Sequence, residues 1–411
     1  MVGASNIPEL RLSVLNKLVT KFTLPPNLMF STMFPSVNAV SDTIKWESQE
    51  GNRGMTPFKA PGSPSPRTAS VGIAQHEARA AFVGEKEFYD ESFLNNIRKE
   101  GTESDYLNAA QRLARDLRSM TSRCFRRKEW MFAKMLTAGS FSYYEKDGIK
   151  ASVSYSIPDA NTVTLGANYK WSTGTAIDIV GDVMDGKIVV SDACGAKVDF
   201  AMCNSKVLQY MSQDPTILTL LQKQSFGNGN LFGDSASSLI GVRPDILGSF
   251  LGISNFVVYD EKFVVSDYLT AALAAAGTTV YVSNAADFET GTATLHDVSE
   301  GTNESVTISA IDTQAGTLTI SAAVSAYKAG EDKITQTLPY VPDNTFLMFA
   351  SSVEGQRIAE FQAAPYGNNR VWGMTTDQWE NKDPDGVYIR VQDKGLPILY
   401  HRDAIYILTV A

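Results

Sequence analysis

Between Glu103 and Leu136 the sequence contains neither proline nor glycine, and Leu107, Ala110, Leu113, Ala114, Leu117, Met120, Thr121, Cys124, Met131 and Met135 fall along one stripe. An unbroken apolar stripe of this period predicts a helix of about 34 residues, roughly 50 Å long at 1.5 Å per residue. Few compact enzymes need such a rod.

Upstream, the stretch WESQEGNRGMTPFKAPGSPSPRT, from Trp46 to Thr68, has the opposite character, with four prolines, three glycines and three basic residues. A structureless insertion of about 20 residues is uncommon inside a domain and is normally either disordered or functional. The flanking segments NAVSDTIKWE and TASVGIAQHEARAAFV are strand-like, so the loop reads as the tip of a long hairpin.

The remaining chain is mixed. Leu10, Val14, Leu18 and Phe22 recur at helical spacing until TLPPNLMF stops the pattern, because proline lacks the amide hydrogen and restricts the residue before it. This predicts a short amphipathic helix on an N-terminal arm. Beyond the rod, IKASVSYSI and NTVTLGANYKW read as strands, and Thr175 to Val190 as a helix with Ile177, Val180, Val183 and Met184 inward. KVDFAMC, ISNFVVYD and NTFLMFASS read as short buried strands, and NSKVLQYMSQDPTILTLLQ as two helical pieces split at Pro215. Between Ser266 and Leu338 apolar residues alternate with Thr or Ser and are punctuated by Gly and Asp, which predicts a small inserted antiparallel β-domain. The stretch DGVYIRVQDKGLPILYHRDAIYILTVA alternates Val387, Ile389 and Val391, is expected to turn at Lys394 and Gly395, and ends in another β-run.

At 411 residues the chain exceeds what one core usually supports, so two or three domains are expected. A net charge of -9 excludes a protein whose whole surface grips nucleic acid. Cys124, Cys194 and Cys203 are widely spaced with no CxxC, and read as reduced, buried thiols. The N-terminus intersperses Arg11, Lys17 and Lys21 with apolar residues, unlike a secretory signal, and no run approaches the roughly 18 apolar residues needed to cross a bilayer.

Chemistry-bearing motifs are sparse. His76, His296 and His401 fall in different presumed domains, and none has a partner at metal-ligand spacing. FGNGNLFGD misplaces the third glycine of a dinucleotide fingerprint and reads as a glycine loop around Gly227, Gly229 and Gly233. Asp383 and Asp385 before Gly386 lack the later bidentate acid of a calcium loop and read as a turn. No GxSxG, Walker sequence or HExxH occurs, so no cofactor, metal or catalytic residue is expected. One cluster stands out: RCFRRKEW, with Arg123, Arg126, Arg127 and Lys128, reinforced by Arg112, Arg115 and Arg118. It suits acidic groups of a neighbouring chain, a solvated ion-paired face, or phosphate.

The order of arm, hairpin, rod, compact middle and terminal sheet resembles the Hong Kong 97-type capsid fold. LMFSTMFPSVNAVSDTIKWE, EARAAFVGEKEFYDESFLNNIRKEG, YVPDNTFLMFASSVEG and DKGLPILYHRDAIYILTVA resemble the lambda-type branch of phage major capsid proteins. The resemblance covers nearly the whole chain except about Ser266 to Leu338.

It implies an α+β fold with an N-terminal arm (1–43), an extended loop hairpin (44–90), a peripheral domain with a long spine helix (91–172 and 361–411, the helix at 103–136), an axial domain (173–265 and 339–360) and an inserted all-β domain (266–338). The extended loop is expected to lie across a neighbouring subunit, with Met55 and Phe58 as anchors and Arg53, Lys59 and Arg67 meeting acidic neighbours. The glycine loop is expected near the axis of a ring of five or six copies. The implied function is a non-enzymatic icosahedral shell, found in the virion and assembled in the host cytoplasm. Implied partners are the chain itself in pentamers and hexamers, scaffolding, portal and decoration proteins, and double-stranded DNA bound without sequence specificity; no membrane is involved. Some related shells crosslink a lysine to an asparagine through this loop, but Lys59 is not expected to do so. The inserted domain is expected on the outer surface, reinforcing contacts or replacing a separate decoration protein. A nanocompartment shell and a tail or adhesion protein are the alternatives.

Overall fold

The computed structural model describes residues 12–22, 25, 27–49, 55–56, 58–65, 73–90, 103–144, 150–223, 242–367, 370–383 and 385–411. The chain divides into two compact units, Met1–Val258 with Asn344–Ala411, and Tyr259–Asp343.

In the first unit the rod is a 36-residue helix, Glu103–Ala138. Leu113, Leu117, Met120 and Cys124 on its apolar stripe pack with Tyr89, Val387, Ile389 and Val391; the side chains of Leu107 and Ala110 lie outside the described residues. Leu15 of the first helix, Leu12–Lys21, joins the same cluster. The helical spacing read from the sequence put Val14 on the apolar stripe of this short helix. Leu15 and Val19 are the buried pair, whereas Val14 is 44% exposed. Leu18 and Phe22 lie at the edge of the cluster, as their spacing predicts.

The helix lies on a sheet organised by one strand, Asp385–Leu399, 15 residues long. The expected turn at Lys394 and Gly395 does not occur. Thr375–Lys382 and Ala81–Asp90 flank the first part of this strand, and Ala359–Ala363 flanks its last part. Gly395 therefore pairs with Ala81 on one side and Ala363 on the other, and its backbone has no freedom to turn. The glycine serves a close approach instead: a Cβ there would lie 2.4 Å from the Phe361 ring and 2.6 Å from the Gln362 carbonyl. Ser36–Asn38 adds to the sheet in parallel alongside Ala359–Ala363.

A second sheet orders Thr162–Thr164, Ile405–Thr409, Thr345–Phe349, Phe200–Cys203 and Asn255–Val258. All of Thr345–Phe349 is buried, as its continuous apolar run predicts. NTVTLGANYKW forms a strand only at Thr162–Thr164. The helix read as starting at Thr175 begins at Ile179, because the Asp178 side chain accepts the Gly181 amide at 2.9 Å and caps it there. Its inward positions are Ile179, Val183, Gly186, Val190 and Cys194, and Met184 is 42% exposed, against expectation. Gly186 explains the misreading: an inward position without a side chain is invisible to an apolar-stripe argument, yet it lets Met348 and Tyr406 close on the helix. The pieces around Pro215 are separate helices, Ser205–Gln213 and Pro215–Lys223, as predicted.

The second unit is a six-stranded antiparallel sheet running from Lys262–Tyr268 through Lys333–Pro339, Gly291–Asp297, Thr302–Asp312 and Thr317–Ile320 to Thr279–Tyr281. Leu269 and Val282, each just beyond an edge strand, form an antiparallel bridge that closes the sheet on itself. Closure encloses a core of residues such as Leu269, Val280, Leu295, Val306, Ile308, Leu318 and Ile334. The outward positions carry the Thr and Ser residues that the alternation predicts, for example Ser266, Thr335, Thr294 and Ser305, which stand in register across four strands.

Candidate functional site

The most distinctive feature of the first unit is the hairpin. Thr43–Gln49 and Ile73–Arg79 pair antiparallel, with Thr43 opposite Arg79 and Gln49 opposite Ile73. Period-two alternation turns Ile44, Trp46 and Ser48 inward, where all three are buried. The other face is polar, with Lys45 Nζ 3.4 Å from Glu77 Oε2 and Gln75 Nε2 donating to Glu47 Oε1 at 3.2 Å. Trp46 stacks on His76 with centroids 5.4 Å apart, and Ser48 Oγ lies 3.0 Å from His76 Nε2. Burial, and secondarily the Arg402 charge, push the His76 imidazole below its ordinary value. A groove of about 840 Å³ runs between this ribbon and Gln356, Gln362 and Tyr400.

The base of the hairpin is clamped. Asp42 pairs with Lys394 of the long strand, and its carbonyl accepts the Ala80 amide at 3.0 Å. Ala39 donates to the Ala363 carbonyl at 2.7 Å, and Trp372 Nε1 donates to the Ala39 carbonyl at 2.9 Å. The Tyr143 hydroxyl donates to the Arg79 carbonyl. Beyond this clamp the described part of the loop behaves differently. Met55 is 88% exposed and Phe58 fully so. Lys59 Nζ donates to Ser65 Oγ at 3.2 Å, beside a turn in which Ser63 returns to the Ala60 carbonyl. Arg53 and Arg67 lie outside the described residues, as do Gly227, Gly229 and Gly233.

The basic cluster of the long helix is not one patch. Arg123 and Arg126 are exposed, as are Arg112, Arg115 and Arg118. Arg123 Nε pairs with Glu85 at 2.9 Å and Arg112 Nε with Asp116 at 3.8 Å. Arg127 lies 4.9 Å over the Trp130 ring. Lys128 turns inward, with its ammonium 3.9 Å over Phe361. Burial pushes this lysine down, against the opposing pull of Asp393 and Glu129, and burial pushes Asp393 up.

One residue that sequence reasoning passed over organises the arm. Glu129 is fully buried and accepts the Phe30 amide at 2.8 Å, the Ser31 amide at 2.8 Å and the Ser31 hydroxyl at 2.6 Å. It thereby pins the Phe30–Met33 turn to the long helix, while Phe34 stacks on Phe132 at 5.3 Å. The available signal was an acid one helical turn before the apolar Phe132 and Ala133, where a carboxylate must find donors. Among the described residues, no group of His, Cys, Asp and Glu is placed to hold a metal ion. The geometry is that of a ribbon clamped at its base, with exposed apolar side chains, Met55 and Phe58, in the described part of its loop.

The same architecture occurs in solved structures of phage-related proteins. Over 97% of each chain, the structure matches a phage-related protein of Bordetella bronchiseptica at 11% identity and a TM-score of 0.50. It also matches a protein assigned as a prophage capsid protein in Escherichia coli CFT073, at 13% identity and a TM-score of 0.51, covering 97% of this chain and 96% of that one. These likenesses show the Hong Kong 97-type capsid fold. No curated protein matches the sequence. The family model of phage major capsid protein E matches residues 12–305, from the first helix through the hairpin and the rod into the β-unit. With most of its length matched by that model and its fold shared with capsid proteins, the chain belongs to the phage major capsid protein E family.

Proposed function

We propose that this chain is the major capsid protein of a tailed double-stranded DNA phage of lambda-like type, closing through pentamers and hexamers of itself into an icosahedral shell around the genome. The observation that carries this reading is the contrast within the hairpin. Its base is locked by Asp42, Lys394, Ala80 and Trp372, while Met55 and Phe58 at its far end are exposed. Large apolar side chains held out on a clamped ribbon are groups for a neighbouring surface to bury, and symmetric reuse of one contact set closes a shell. The role is structural, without catalysis or a cofactor. Scaffolding, portal and decoration proteins are the partners such a shell takes, and its contact with DNA is independent of sequence.

Expression of the full chain followed by electron microscopy and nuclease protection tests this. Closed particles of uniform diameter with protected nucleic acid are expected. A lone monomer, or open tubes and fibres, would overturn the reading, and shells filled with a protein cargo would replace the genome with a nanocompartment's contents.

A further inference from the structure

The net charge of the protein is unevenly distributed. The unit Tyr259–Asp343 contains 12 Asp and Glu against 3 Lys, a net of -9, which equals the charge of the whole chain. The remaining residues balance, with 33 acidic against 33 basic. The inserted unit is thus a strongly anionic module on an otherwise neutral polypeptide.

These charges are built into the unit's turns. Asp297 Oδ1 accepts the Ser299 hydroxyl at 2.7 Å and the Glu300 amide at 2.8 Å. Asp312 accepts the Gln314 and Ala315 amides, both at 2.9 Å. Asp332 accepts the Val298 amide at 2.9 Å and the Lys328 amide at 2.6 Å. Glu304 takes the Val324 and Ser325 amides and the Tyr327 hydroxyl. The bonds to Glu300 and Ser299 hold the Asp297 carboxyl below its usual range. Of the three lysines, Lys328 is paired with Glu331 at 3.3 Å.

We infer that in the assembled shell this unit forms an anionic outer layer, facing away from the enclosed nucleic acid. The inference rests on the shell reading above. Duplex DNA carries one charge per roughly 1.7 Å of axis, and charges closer than about 8 Å interact with little screening at physiological salt. An inward unit would set nine like charges per copy against that polyanion. The balanced remainder of the chain carries no such penalty. Bridging of Leu269 to Val282 suits the same placement, because a sheet closed on itself offers neighbouring particles less strand edge to pair with.

Thiol labelling decides this, since Cys124, Cys194 and Cys203 are all buried and give little background. Thr302→Cys places one thiol at an exposed strand start. A long polyethylene-glycol maleimide is applied to intact, nucleic-acid-filled particles and to the same particles after disruption. Equal labelling in both is expected. Protection in intact particles, relieved only by disruption, would overturn the inference while leaving the shell reading in place; absence of particles would remove both. As a second readout, Glu300→Gln with Glu331→Gln lowers the electrophoretic mobility of intact particles if the unit is outside and leaves it unchanged if it is inside.

Discussion

The carboxylate of Glu129 accepts the backbone amide of Phe30 at 2.8 Å, joining positions 99 residues apart. The same side chain takes both donors of Ser31, so one buried side chain fixes the path of the arm across the long helix. Glu129→Ala removes this acceptor from both amides and the Ser31 hydroxyl, and a buried donor left unsatisfied costs about 1–3 kcal/mol. A loss of about 3 kcal/mol in urea unfolding is expected, with faster proteolysis of the arm. A loss below about 0.5 kcal/mol would show that packing of Phe34, not the carboxylate, holds the arm.

Gly395→Ala tests the close approach in the long strand. The added methyl meets the Phe361 ring and the Gln362 carbonyl, and overpacking of this kind costs about 1–3 kcal/mol. Combining it with Phe361→Leu should recover part of that cost in a double-mutant cycle. Simple additivity of the two changes would mean that the ring is not what the methyl strikes.

His401 gives the fold an acid-sensitive point. It is buried, with Nε2 lacking a hydrogen-bond partner among the described residues, and burial lowers its pKa against the opposing pull of Asp403 and Glu354. The unfolded imidazole, near pH 6.5, then takes a proton more readily than the folded one, so stability falls as pH drops through that value toward the depressed folded pKa. The melting temperature at pH 5.5 should lie below that at pH 7.5, and His401→Gln should narrow the gap. An unchanged gap would assign the acid sensitivity to other groups.

Met55→Ser with Phe58→Ser separates assembly from folding. Both side chains are exposed, so the unfolding midpoint should not move. Interface anchors of this kind each contribute 2 kcal/mol or more, and particle yield is expected to fall by at least about tenfold. Normal yield would place the subunit contact elsewhere.

Boiling in detergent examines the loop lysine. Lys59 donates to Ser65, and a single monomer band is expected from wild-type particles. A ladder of covalent multimers, abolished by Lys59→Arg, would reveal a crosslink.

The rod and the hairpin were legible because each has a local cause: an unbroken stripe without proline in one, two alternating segments around a proline-rich loop in the other. Lys394 and Gly395 misled because their local chemistry is that of a turn, while strands from distant parts of the chain, Ala81–Asp90 and Ala359–Ala363, hold them extended. Val14 and Met184 were assigned inward because apolar character marks several faces of a short helix at once, and only the surface it meets selects one. Glu129 was passed over as part of a charged run, since its donors arrive from another segment. The split of Arg123 from Lys128 follows from helical geometry, in which residues five apart point in different directions.

The strand Asp385–Leu399 and the helix Glu103–Ala138 have nearly matched reach, about 50 Å at 3.3 Å per residue and about 54 Å at 1.5 Å per residue. Packed through Leu113, Leu117, Ile389 and Val391, they form a composite beam: the extended strand resists stretching and the helix resists flexure. A pull applied at Ala81–Asp90 passes to Ala359–Ala363 along one covalent backbone without crossing a loop.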